Sequence, residues 1–78
     1  MARRTNMQRE PIDSQVIASM GYDPAWSVLE LEFRETREIY AYFDVPPQEY
    51  AAFRSADSKG TYLNTIFKSR NYRFARLK

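Results

Sequence analysis

Between Trp26 and Arg34 apolar and polar residues alternate. Leu29, Leu31 and Phe33 fall on one side, and Glu30, Glu32 and Arg34 on the other. A period of two over this length predicts a strand with one buried face. Upstream, Val16, Ala18 and Met20 alternate with Gln15, Ile17 and Ser19, which predicts a first strand over residues 14–22, mostly buried on one face. Gly21-Tyr22-Asp23-Pro24 has turn chemistry, with Pro24 suited to a turn's second position. Residues 38–43 are rich in β-formers and complete a three-stranded antiparallel meander. The connection between the second and third strands leaves two registers open. A two-residue loop at Thr36-Arg37 pairs Phe33 with Tyr40 and Leu31 with Tyr42, so both tyrosines face the core. A three-residue loop buries Ile39, Ala41 and Phe43 instead.

After Val45-Pro46-Pro47 the period changes. Proline is tolerated at a helix start, where its missing N–H has no partner to lose. A short helix is expected over residues 48–56, with Tyr50 and Phe53 on one side. Ser58 suits the cap of a second helix running to about Lys68, with Leu63, Ile66 and Phe67 at helical spacing. Residues 72–77 read either as a last strand or as an extended tail. The predicted class is therefore α+β: one small domain with a three-stranded meander, two short helices and a candidate C-terminal strand.

Composition narrows the chemistry. A chain of 78 residues buries only about 60–65% of its unfolded surface, so its core is thin. There is no cysteine and no histidine, so disulfides and the usual zinc ligands are excluded. Packing of the aromatic residues, or self-association, must supply the missing stability. No apolar run follows the basic start and none is long enough to span a bilayer, so a cytoplasmic location and no membrane partner are expected. Neither a metal nor a cofactor is expected.

Charge is segregated along the chain. Residues 1–9 carry +3. Residues 10–57 hold all ten acids against Arg34, Arg37 and Arg54, giving −7. Residues 58–78 have no acid and carry Lys59, Lys68, Arg70, Arg73, Arg76 and Lys78, giving +6 and a total of +2. Residues 1–13, polar and without a period, are expected to form a flexible basic arm, and residues 14–78 the folded domain.

Three ordered motifs stand out: Gly21-Tyr22-Asp23-Pro24, Tyr40-Ala41-Tyr42-Phe43-Asp44-Val45-Pro46, and Ser58-Lys59-Gly60-Thr61-Tyr62-Leu63-Asn64. With Tyr72-Arg73-Phe74-Ala75-Arg76-Leu77 they resemble the KTSC domain, a family found at the C-terminus of some lysyl-tRNA synthetases and as free-standing bacterial proteins. Its central Tyr-x-Tyr is matched by Tyr40 and Tyr42. The resemblance covers residues 14–77. The chain departs from the family pattern in lacking a glycine before Tyr-x-Tyr, and in being one residue longer both there and between Asn64 and Tyr72. The resemblance implies a role no sharper than RNA binding and supplies no catalytic residues to carry over.

Each candidate site has a plain and a functional reading. Lys59, Lys68, Arg70, Arg73, Arg76 and Lys78 suit a phosphate backbone, or merely solubilise the surface. Tyr40, Tyr42, Tyr62 and Tyr72 suit base stacking, or simply fill a thin core. Asn64, a poor helix former in mid-helix, marks either a loop contact or a surface contact. Glu30, Glu32 and Glu38 read as a solvated acidic sheet face. The expected function is a non-enzymatic module that binds RNA, tRNA or another structured RNA, through a basic, aromatic-bearing C-terminal face. The alternative is a protein-interaction adaptor or homo-oligomer that uses an open sheet edge and complementary charged faces.

Overall fold

Five antiparallel strands follow one another across a single sheet in chain order: β1 (Glu10–Pro11), β2 (Ile17–Asp23), β3 (Val28–Phe33), β4 (Ile39–Tyr42) and β5 (Phe74–Arg76). The structure is a computed structural model and describes residues 8–78. Between β4 and β5 lie α1 (Pro47–Ser55) and α2 (Lys59–Tyr62). The latter continues as a π turn (Leu63–Phe67) and a 3-10 turn (Lys68–Arg70). The expected meander is present, extended by a strand at each edge. Among the described residues no helix is long and apolar enough to cross a membrane.

The flexible arm expected over residues 1–13 is corrected for its second half. Glu10 and Pro11 pair with Met20 and Ser19, and Ile12 packs against the core. Arg9 reaches across the sheet to Glu30 at 2.8 Å. Residues 1–7 of that arm lie outside the described residues.

β2 also differs from the alternation read in the sequence. A bulge between Ile17 and Ser19 breaks the period, so Ile17, Ala18, Ser19 and Met20 are all buried while Val16 turns outward. One extra residue in one strand is enough to reverse the faces beyond it. Gly21 to Asp23 continue the strand, and the turn comes later. There the Asp23 carboxylate accepts the Ala25 N–H at 3.0 Å and Ser27 takes a positive φ of 55°.

The β3–β4 register matches neither loop length considered. Phe33 exchanges hydrogen bonds with Glu38 and Arg37, leaving a four-residue connection in which Arg37 adopts φ 64°. Four residues preserve the parity of two, so Tyr40 and Tyr42 do face the core side. They sit one pair further along, opposite Leu31 and Leu29. With no glycine available, the longer loop carries the reversal at one left-handed residue.

The helices cover one face of this sheet. Pro46 caps α1 and Pro47 opens it, and Ser58 caps α2 by accepting the Thr61 N–H at 3.2 Å. Gly60 is needed for close approach, because a Cβ there would lie 2.9 Å from Val16 Cγ2. The π turn places Tyr62 and Phe67, five residues apart, against the same ring. Phe53 stacks on Tyr62 at 4.9 Å and meets Phe67 at 5.1 Å. Ile66, read in the sequence with Leu63 and Phe67, turns outward instead. Ile17, Met20, Leu29, Leu31, Val45, Phe53, Leu63 and Phe67 form the core.

Phe53 is fully buried between two rings. Truncation to alanine is expected to cost roughly 3–5 kcal/mol, a large share of what a domain this small has. Urea unfolding of Phe53→Ala against the parent chain measures it, and a loss below about 1 kcal/mol would contradict this packing.

Candidate functional site: an aromatic groove beside the β5 edge

The β3–β4 register decides which rings meet. Leu31, Tyr40 and Arg76 form one cross-strand row, and Leu29, Tyr42 and Phe74 the next. Side chains opposite one another in a ladder share a face. Phe33 meets Tyr40 edge-on at 5.6 Å, Phe74 lies 5.6 Å from Tyr40 and 5.7 Å from Tyr42, and Tyr42 abuts Phe67 at 4.9 Å. Phe67 then touches Tyr72 at 5.1 Å. These rings line a groove of about 650 Å³ between the sheet and the last helical turns, with Lys68, Asn71, Glu35 and Glu38 also along it. Tyr40 and Tyr42 are half-buried in the ring network, and they also line the groove. Burial, with the neighbouring Tyr40, pushes the Tyr42 hydroxyl up to about 12. Phe74 is the odd ring, 58% exposed at the groove's rim.

The six C-terminal cations do not share one basic face. Arg70 bonds Glu49 at 2.7 Å, Arg73 bonds Asp44 at 3.1 Å and Arg76 bonds Glu38 at 2.9 Å. Arg73 also lies over the Phe43 ring, 5.5 Å from its centre. Lys59 donates to the Ala56 carbonyl at 2.6 Å and sits in a separate polar cleft with Ser58, Gly60 and Asn64. Lys68 borders the aromatic groove, and Lys78 pairs through its backbone with Ile39. A segment without acids in the sequence thus finds them in space, because β5 returns beside β4. Twelve cations less Arg3 and Arg4 leave ten in residues 8–78, against all ten acids, so the described domain is neutral.

The expected acidic sheet face is corrected as well. Glu38 pairs with Phe33 and so belongs to the groove side, whereas Glu30 and Glu32 point to the opposite side. Glu30 is fully buried there in a row of small residues, Gly21, Ala41 and Ala75. Its Oε1 accepts from Arg9, and its Oε2 has no hydrogen-bond partner among the described residues. Glu32 accepts from the Ser19 hydroxyl at 2.8 Å. That bond lowers its pKa, against the effect of burial and with help from Arg37 and Arg9.

A residue not singled out in the sequence organises the groove's helical wall. Glu49, only 6% exposed, lies in the first turn of α1 and accepts from three donors. The Tyr62 hydroxyl binds its Oε2, while Tyr72 at 2.8 Å and Arg70 at 2.7 Å bind its Oε1. Burial opposes its charge, but the two hydroxyls and the guanidinium prevail and hold its carboxyl below the ordinary 4.5. In return, burial and the Glu49 charge raise Tyr62, and push Tyr72 up to about 12. A signal for this clasp was present. Glu49 lies four residues before Phe53, which places it on the buried face of the helix.

The clasp gives stability a defined pH window. A carboxyl depressed on folding contributes fully above about 4.5, and the contribution is lost as pH falls through its folded value. Tyrosines raised on folding contribute fully below about 10, and theirs is lost as pH rises toward 12. Melting temperature is therefore expected to be level between these limits and to drop on both sides. Glu49→Gln is expected to lose roughly 2 kcal/mol at pH 7 and to flatten the acid limb. Urea titrations from acid to neutral pH check this, and an unchanged acid limb would remove Glu49 as its cause.

Comparison with known proteins follows the same fold. The KTSC domain model matches residues 13–72. An uncharacterised protein of Stutzerimonas stutzeri is 39% identical over 71 residues, which cover 91% of this chain and 99% of that one. A protein of Tsukamurella paurometabola is 38% identical over 61 residues, or 78% of this chain and 90% of that one. The crystal structure of a KTSC domain protein from Yersinia pestis superposes with a TM-score of 0.84 at 38% identity, covering 92% and 99% of the two chains. The ordered tyrosines, the capped glycine-bearing helix and the meander beneath them thus place this chain in the KTSC domain family.

Proposed function

We propose that this domain is a non-enzymatic module that binds single-stranded RNA segments on the aromatic groove. The observation carrying this reading is the open row of rings on one sheet face, Phe33, Tyr40, Tyr42 and Phe74, with Phe74 largely uncovered at its rim. Aromatic rings on a sheet accept splayed bases by stacking. The family's occurrence on lysyl-tRNA synthetases agrees with such a ligand. Charge assists and does not lead, because the described domain is neutral. Arg76 is held by an exposed ion pair, 61% and 34% exposed on its two sides. Exposed pairs are worth about 0–1 kcal/mol, so a phosphate can displace the acid at little cost. Lys68 on the groove and Lys78, whose backbone pairs with Ile39 next to Tyr40, bring the cations available to a phosphate backbone to three.

Stacking-led binding is expected to weaken only gently with salt, log affinity falling against log salt with a slope of about −2 for three phosphate contacts. Phe74→Ala is expected to weaken binding about tenfold. Arg37→Gln, on the opposite face with Glu32, is expected to leave it unchanged. Fluorescence anisotropy with a labelled mixed-sequence single-stranded RNA measures all three. No binding at millimolar protein, or full binding by Phe74→Ala, would refute this site.

A second reading is favoured by a separate observation. β5 is exposed throughout and ends the sheet, which suits a protein adaptor that adds a strand.

A further inference from the structure

The ladder between β4 and β5 fixes which way each backbone group on β5 points. Phe43 donates to the Arg73 carbonyl at 2.8 Å and Leu77 donates to the Ile39 carbonyl at 2.7 Å. Ala75, opposite Ala41, lies midway between these bonds. Residues 73, 75 and 77 therefore face inward to β4. By the alternation of an antiparallel ladder, the N–H and C=O groups of Phe74 and Arg76 point out from the edge of β5 that no other described strand covers. The same edge carries the most exposed ring of the groove, Phe74, followed by Leu77 at 42% exposure.

The outward residues complement each other when the strand meets itself. A two-fold axis through Ala75 sets Phe74 opposite Arg76 of a second copy, twice over. It makes two fully hydrogen-bonded pairs. An axis at Phe74 leaves only one such pair within the strand, and an axis at Arg76 sets like charges face to face. Phe74, Arg76 and the groove share one side of the sheet, so the guanidinium of the second copy comes to rest on the Phe74 ring. This chain already makes such a contact between Arg73 and Phe43 at 5.5 Å. The two phenylalanines then lie on a diagonal still within reach of aromatic side chains. Each Arg76 keeps Glu38 beside it, which offsets the approach of two cations. The neutral domain adds no long-range repulsion.

We propose that two copies of this chain join β5 to β5, antiparallel about Ala75, so that Arg76 of each copy closes the other's groove and the two aromatic grooves become one band. The contact is small and the dimer is correspondingly weak. It does not depend on the RNA reading, and its test uses no nucleic acid.

Because the chain has no cysteine, Ala75→Cys supplies a single reporter. The two positions would form a non-hydrogen-bonded pair with Cα atoms about 4.5 Å apart, within disulfide reach. Mild oxidation is expected to yield the covalent dimer at least tenfold faster than with Ala52→Cys on the exposed side of α1. Sedimentation equilibrium of the natural chain from about 10 µM to about 1 mM is expected to show monomer passing to dimer, and Phe74→Lys to raise Kd at least tenfold. A chain that stays monomeric over that range, or Ala75→Cys that links no faster than Ala52→Cys, overturns the proposal. If Phe74→Lys fails to fold, the two cysteine variants decide alone.

Discussion

The helical half of this domain is tied together by one carboxylate. Glu49 sits at the start of α1, yet its three partners come from α2, the 3-10 turn and the approach to β5. A buried carboxylate is unfavourable unless its oxygens are met by donors, and here both are. Loss of any one donor leaves the charge less compensated, so the four residues act as a set. The consequences extend to the sheet. Tyr72 lies two residues before β5, and Phe67 stands between Tyr72 and Tyr42. Fixing the chain at Arg70 and Tyr72 thus sets where β5 joins β4 and how wide the groove is.

A second polar center lies beneath the sheet. Glu30 occupies a strictly alternating position and would ordinarily face water. The small residues of its row, Gly21, Ala41 and Ala75, leave room for its side chain, and Arg9 covers it. The cover comes from the segment that leads into β1. The first strand is therefore more than an edge, because it brings the cation that makes this burial tolerable.

Much of the architecture was legible in the residues. Alternation located β3 and its buried side, Pro46-Pro47 and Ser58 marked both helix starts, and the Tyr-x-Tyr order pointed to the family. The failures have physical causes. The bulge at Ile17–Ser19 changes parity without a glycine to announce it. The β3–β4 turn spans four residues because Arg37 accepts a left-handed conformation that sequence alone rarely assigns to arginine. Charge was the least legible property. Blocks of opposite sign along the chain suggested opposed faces, but a meander closed by a returning strand interleaves them. Arg73 meets Asp44 from 29 residues away, and Arg76 meets Glu38 from 38. Glu49 escaped notice because an acid in a first helical turn usually just faces the helix dipole in water.

This cancellation also has a kinetic meaning. A domain whose ten cations and ten acids balance over residues 8–78 casts little field beyond a Debye length of about 8 Å. Only Arg3 and Arg4 lift the whole chain to +2. Any partner of the described domain would then be met at the unsteered rate of about 10⁵–10⁶ M⁻¹ s⁻¹. Under the binding mode proposed above, discrimination between partners falls to how long each stays on the rings around Tyr40 and Phe74.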